Sequence, residues 1–294
     1  MRTILITGAT GFLGQSLVKT LLMDENLYVI AMCGRSENKS KLLPKNSRVN
    51  VILIEDFFKR YLYDIDTVIN CAFARSNNIE LLVQSLDFTE KFIKHLKKIN
   101  AKSVINISTQ GVYKRLPAGL LSREDSPIEP IDFYSISKYA SEKLFLTSSI
   151  SYITNVRLAS LMMPQRFLYS FVKKVMNKEP FTITAPNRYE ALMDVSDAAS
   201  GLATLVSLAP EFRSELYNLG IGAQYSLMDY ARSVKEIGGR LGYDVSFNVE
   251  DGGDATCAGM DCAKFMKGTG WKPKVMKDEM ITNIFKSDLL KTFL

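Results

Sequence analysis

At 294 residues and 47% hydrophobic content, the chain is long enough to bury a substantial core, as one large domain or one domain with a smaller lobe; a tail or a fibre is excluded. A formal net charge of +6 favours anionic ligands weakly, and without a Lys/Arg stripe interleaved with aromatics no nucleic-acid partner is expected. Four cysteines without a C-x-x-C pair and one histidine, His95, argue against a zinc site and a disulfide framework, so no metal is expected.

The chain opens "MRTILITGATGFLG", where a short apolar run breaks into glycines with no cleavage site; this reads as structure and not as a signal peptide. No run approaches the ~18 apolar residues of a membrane span. A cytoplasmic protein that leaves membranes alone is therefore expected. "TILIT" (3–7) reads as a buried strand, and the segment after it spaces Leu13, Leu17 and Leu21 as an amphipathic helix does. Further strands are expected at 27–33, 49–54, 66–73 and 101–109, with a long helix over 79–98. His95 within that helix reads as a solvated side chain among lysines.

Residues 117–130 carry three prolines and read as a loop, followed by a helix containing Tyr134 and Lys138. Then come a strand at 151–158, a helix near 166–177, a strand at "PFTIT", a helix at 196–208 and a strand at 216–220. Strands alternating with helices predict right-handed βαβ units, hence an α/β fold with a Rossmann-type doubly wound parallel sheet. After residue 225 the texture changes to a helix, a short strand and the glycine-rich "EDGGDATCAG". Residues 1–160 with about 190–222 are assigned to a dinucleotide-binding domain. About 161–189 and 223–294 are assigned to a smaller carboxyl-terminal substrate lobe, with Trp271 packing at its base.

"TGATGFLG" places Gly8, Gly11 and Gly14 in a strand-turn-helix context, where glycines permit a tight turn and let a pyrophosphate approach the helix amino terminus. Thr10, Phe12 and Leu13 belong to the same cofactor-binding segment. After the second strand, Gly34 stands where an NAD-selective acid would be, and Arg35 and Ser36 follow. A guanidinium pairs with phosphate bidentately, which predicts NADP(H), with NAD as the alternative. Asp56 and Phe57 are candidates to flank the adenine, though Asp56 could equally cap a helix.

Tyr134 and Lys138, four apart, share a helix face. An ammonium nearby would stabilise the phenolate, giving a general acid/base, and Thr109 at a strand end could orient a substrate hydroxyl or carbonyl. Ordered after a glycine loop, the three point to one catalytic site. The motifs "TGATGFLG", "INCAFA", "ISTQGVY", "YSISK", "VRLASLMMP", "MDVSDAA", "YNLG" and "GWKPK" together resemble the extended short-chain dehydrogenase/reductases, the epimerase/dehydratase group acting on sugar nucleotides.

The resemblance implies that Thr109 fills the serine/threonine position, that Tyr134 is the acid/base and that Lys138 also holds the nicotinamide ribose. It further implies that Cys71, Ala72 and Phe73 line the cofactor and that Arg157 lies at the active-site edge. Gln110 and Gly111 replace the Asp-Glu pair of 4,6-dehydratases, so dehydration is not expected. Ser160 replaces an asparagine facing the sugar. Glu190 replaces an arginine for the substrate pyrophosphate, which Arg166, Lys173 or Arg188 could substitute. The expected activity is an NADP(H)-dependent oxidoreductase or epimerase working on a secondary hydroxyl or ketone of a sugar, nucleotide-linked by resemblance. The alternatives are a reductase of a non-nucleotide ketone or aldehyde and a catalytically inactive NADP-binding regulator. Helices 79–98 and 134–149 would pair into a homodimer or pack on the sheet.

Overall fold

The computed structural model describes residues 1–34, 41–59, 64–250, 252 and 256–287. The first apolar run forms β1 (Arg2–Thr7), and its glycine turn leads into α1 (Phe12–Leu21). There follow β2 (Leu27–Cys33), β3 (Val49–Leu53), α2 (Ile54–Lys59), β4 (Thr67–Asn70), α3 (Ile79–Lys98), β5 (Ser103–Thr109), β6 (Leu116–Pro117), α4 (Phe133–Leu146) and β7 (Tyr152–Leu158). Next are β8 (Ser160–Leu161), α5 (Phe167–Met176), β9 (Phe181–Ile183), β10 (Tyr189–Glu190), β11 (Leu192–Met193), α6 (Val195–Ser207) and β12 (Leu216–Leu219). The chain continues through β13 (Tyr225–Ser226), α7 (Leu227–Arg240), β14 (Phe247–Val249), β15 (Thr256–Ala258), α8 (Ala263–Thr269) and α9 (Lys277–Lys286).

Seven parallel strands form the expected doubly wound sheet in the order β12-β7-β5-β4-β1-β2-β3. Connections leave β1 in both directions, so a crevice opens at the carboxyl ends of β1 and β4, where such sheets bind ligands. A buried polar ladder crosses the sheet beneath that crevice. Thr7 donates to Asn70 Oδ1 (2.7 Å), Asn70 to Asn106 Oδ1 (3.0 Å) and Asn106 to Asn155 Oδ1 (2.8 Å), each pair in register on neighbouring strands. Apolar residues would tolerate other registers; a satisfied amide chain in a buried sheet ties four strands to one alignment.

Two apolar layers cover the two sheet faces, and a third core gathers residues from α5, β9, α7 and α9. Met260, Cys262, Phe265 and Trp271 join the larger sheet core and not that third one. Trp271 packs edge-on to Phe265 and donates to Ser200 Oγ on α6 at 2.9 Å, so it anchors the chain's return to the sheet domain instead of the lobe's base. His95 also differs from expectation. It is 5% exposed, with its ring 4.8 Å from that of Phe57 and 5.3 Å from that of Phe58, because α2 lies over the face of α3 that carries it.

The proline-rich loop closes a small sheet of order β13-β10-β15-β6, which joins segments far apart in sequence beside the crevice. Among the described residues, no helix is long and apolar enough to cross a membrane, and no group of three or more His, Cys, Asp or Glu side chains could hold a metal ion.

Candidate active site

The turn between β1 and α1 is shaped by backbone contact. Gly8 has φ +65°, and a Cβ there would stand 3.0 Å from the Ala72 backbone nitrogen; one on Gly14 would stand 2.3 Å from the Gly8 carbonyl oxygen. No side chain caps α1 at Gly11. Its first N–H groups, which have no partner within the helix, are left for an anion. Gly11, Phe12, Leu13 and Gly14 line one wall of a cavity of about 320 Å³. A cradle that any Cβ would fill, at a helix amino terminus over a sheet switch point, fits a dinucleotide pyrophosphate.

Gly8 and Phe73 are shared with a second, apolar cavity of about 330 Å³ at the ends of β2 and β4, lined also by Cys33, Gly34, Ile54 and Ala72. The two together give an extended molecule room for both its halves. One expected adenine contact is corrected here. Phe57 is fully buried in the core against Phe92 and His95, while Ile54 lines the cavity wall and the half-exposed Asp56 carboxylate stands 3.8 Å from the Lys59 ammonium. Thr10 lines neither cavity; its carbonyl accepts from Gln15 Nε2 at 2.9 Å. Arg35 and Ser36 lie outside the described residues.

Thr109, Tyr134 and Lys138 line the first cavity together with Cys71 and Phe73. Asp132 caps α4 by accepting from the Ser135 N–H (2.7 Å), so the helix starts immediately before Tyr134 and swings its ring into the cleft. One turn on, Lys138 is 3% exposed; its ammonium donates to the Ile107 carbonyl and lies 4.4 Å from the Phe73 ring centre. Burial pulls its pKa down from 10.5 to about 8, against the opposing pull of Cys71 and Glu142. The Cys71 thiol is pushed up to about 12 by burial, partly offset by Lys138.

Burial raises the Tyr134 phenol, while the positive charge of Arg75 acts to lower it and Asp132 adds to the rise. Arg75 is thus a cation acting on the phenol that the sequence did not single out. Thr109 Oγ1 accepts from the Gly111 N–H (3.2 Å), which leaves its own proton to donate.

Arg157 is not at the cleft edge. It is buried behind α4, where its Nε and a terminal nitrogen donate to Glu142 at 3.0 and 2.8 Å and its guanidinium lies 4.6 Å from the Tyr113 ring centre. Glu142 stands one turn beyond Lys138 and also accepts from Ser108, so the pair ties α4 to β5 and β7.

Thr109, Tyr134, Ser160 and Arg166 also line an adjoining polar cavity of about 290 Å³. Its wall includes three residues that sequence reasoning did not place in the site, Arg75, Lys114 and Arg115. The available signal for Arg75 was its position directly after "INCAFA", at the carboxyl end of a central strand. Gln110 donates to Ser160 Oγ at 3.0 Å, and its Oε1 is buried without a partner. Arg188 pairs with Glu190 at 3.0 Å, and of the two it is Glu190 that lines the cavity.

Residues 4–220 match the family model described as NAD dependent epimerase/dehydratase family. A putative UDP-glucose 4-epimerase of Methanocaldococcus jannaschii is 25% identical over 96% of each chain. The UDP-glucuronic acid 4-epimerase of Bacillus cereus, solved with UDP-glucuronic acid and NAD, superposes with TM-score 0.82 at 22% identity over 99% of this chain and 100% of its own. The dTDP-glucose 4,6-dehydratase of Bacillus anthracis str. Ames, solved with NAD, gives TM-score 0.79 at 18% identity over 97% and 96%. With the motif order, the sheet and the glycine cradle in agreement with that match, the chain belongs to the NAD dependent epimerase/dehydratase family.

Proposed function

We propose that the protein is a nucleotide-sugar epimerase or reductase that exchanges a hydride at a secondary alcohol carbon of the sugar. The observation that carries this reading is the convergence of Thr109, Tyr134 and Lys138 on one cavity, against the glycine cradle on one side and a polar cavity on the other. A bound nicotinamide supplies or accepts the hydride. Tyr134 Oη gives its proton to a ketone oxygen, or takes one from a hydroxyl; Thr109 donates a hydrogen bond that aims that oxygen; Lys138 holds the ribose side and returns positive charge when the phenol ionises.

Gln110 and Gly111 speak for this chemistry over 4,6-elimination. A Cβ on Gly111 would stand 2.4 Å from Ser135 Oγ, so a side chain at this position requires the Ser135 hydroxyl to turn away. For the cofactor we favour NADP(H), on Arg35 and Ser36 after Gly34, while the relatives solved with NAD keep NAD as the alternative. Exposed apolar residues on α3 and at the start of α4 (Leu81, Val83, Phe133 and Ile136) support a homodimer through these helices.

A panel of nucleotide sugars incubated with the protein and each dinucleotide tests the assignment. Epimerisation interconverts sugars with no net change in near-ultraviolet absorbance, whereas reduction consumes NADPH stoichiometrically. No conversion of any nucleotide sugar, with conversion of simple ketones, would reject it. Calorimetry showing equal or tighter binding of NAD(H) would reject the NADP preference alone.

A further inference from the structure

We propose that Arg75 and Arg166 form an anion subsite that holds a carboxylate on the sugar ring beside Tyr134, which makes the substrate a nucleotide-linked uronic acid. The proposal rests on the nucleotide-sugar reading and adds the chemistry of the sugar. Both arginines line the cavity at the glycine cradle and the adjoining polar cavity, together with Thr109, Tyr134 and Ser160. They therefore stand at the junction where a reacting carbon must sit between hydride carrier and acid/base.

Neither guanidinium has an acidic partner at ion-pair distance among the described residues. Arg75 donates to the Met163 sulfur, a weak acceptor, and Arg166 Nε is buried with no partner. Of the two carboxylates on the polar cavity, Glu190 is engaged by Arg188 at 3.0 Å and Asp132 accepts from the Ser135 N–H at 2.7 Å. Burial first, then the charge of Arg75, lowers the proton affinity of Arg166; Glu190 opposes this and Arg188 adds to it. Two cations on one cavity wall, Arg75 exposed and Arg166 partly buried, have no ion pair among the described residues and favour an anionic group of a ligand between them.

The position of the pair selects the kind of anion. A carboxylate attached to the ring lies within a few bonds of the ring carbons. A diphosphate hangs from the anomeric oxygen, and the same cavity presents Arg115 and Lys114 to it, the latter also paired with Glu129 at 3.1 Å. Arginine matches a carboxylate with two parallel charge-assisted hydrogen bonds, a geometry that lysine lacks.

Calorimetric titration of the dinucleotide-loaded protein with UDP-glucuronate, UDP-glucose and UDP tests the subsite. One charge-assisted pair predicts roughly 10- to 100-fold tighter binding of the uronate than of UDP-glucose. In Arg75→Gln that preference collapses while UDP affinity stays unchanged; Arg75 is exposed and outside the core, so folding is preserved. Equal affinity for the two sugars in the unaltered protein overturns the proposal. So does an Arg75→Gln variant that loses UDP affinity as strongly as uronate affinity, since that would give the pair to the diphosphate. Turnover of neutral nucleotide sugars without a uronate preference sinks this inference alone; no binding of any of the three probes sinks the nucleotide-sugar reading with it.

Discussion

On the β1 side of Tyr134 the cavity wall is backbone, with Gly8, Gly11 and Gly14 pressed against neighbouring main chain. On the β15 side it is side chain, with Gln110, Arg166, Glu190 and Arg75 brought in by separate segments. A backbone wall recognises what is common to a ligand, here a pyrophosphate, and admits almost no substitution. A side-chain wall can change one residue at a time without disturbing the sheet, which is where substrate choice within one fold resides.

The largest test removes the group that stands between the two walls. Tyr134→Phe should lower kcat by about 10²- to 10⁴-fold, while calorimetric affinities for dinucleotide and nucleotide sugar stay unchanged. Full activity in this variant would transfer the acid/base role elsewhere and dissolve the junction on which the comparison depends.

Lys138 offers a pH test of the same junction. Its folded pKa of about 8 lies below the free value of 10.5, so between these limits the unfolded chain binds more protons than the folded one. Stability contributed by this group therefore rises with pH across pH 8 to 10.5, and burying the ammonium costs most below pH 8. Urea unfolding of the unaltered protein and of Lys138→Met should show the variant's relative advantage shrinking over that window, by at most roughly 3 kcal/mol. A difference that does not change with pH would mean that Lys138 is not charged and buried as described.

The backbone wall is broken most directly by Gly14→Ala. With the new Cβ 2.3 Å from the Gly8 carbonyl, the turn must open. The expected cost is about 1–3 kcal/mol in stability, with a larger proportional loss of dinucleotide than of UDP affinity. Equal loss of both ligands would show the two walls to be one cooperative unit.

The same contrast explains what the sequence makes legible. Strand order about β1 and the cofactor turn are local: one contiguous segment carries the apolar run, the glycines and the helix start. Phe57 and His95 were misjudged because their burial depends on α2 lying over α3, a tertiary contact with no periodic trace among flanking lysines. Trp271 was placed with the wrong core because α8 returns to β12 after the lobe has begun. The one signal for Arg75, its place after "INCAFA", does not say what it faces; only the fold brings it into one cavity with Arg166. Arg157, in turn, lies behind the cleft because Glu142, fifteen residues earlier in the sequence, holds it there.

Gln110 makes the smallest of these perturbations and the one that isolates the side-chain wall most cleanly. Its amide nitrogen is held by Ser160 Oγ, which fixes the side-chain orientation and leaves Oε1 buried and without a protein donor beside Thr109. A substrate hydroxyl is the natural donor, since an unpartnered buried acceptor costs free energy that one hydrogen bond recovers. Gln110→Ala should raise KM about 5-fold, near 1 kcal/mol, with kcat and dinucleotide affinity little changed. Ser160→Ala should reproduce part of that loss by freeing the amide to rotate. An unchanged KM in both variants would show that the substrate hydroxyls are read elsewhere on the wall, and a fall in kcat equal to the loss in kcat/KM would place Gln110 in the transition state alongside Thr109.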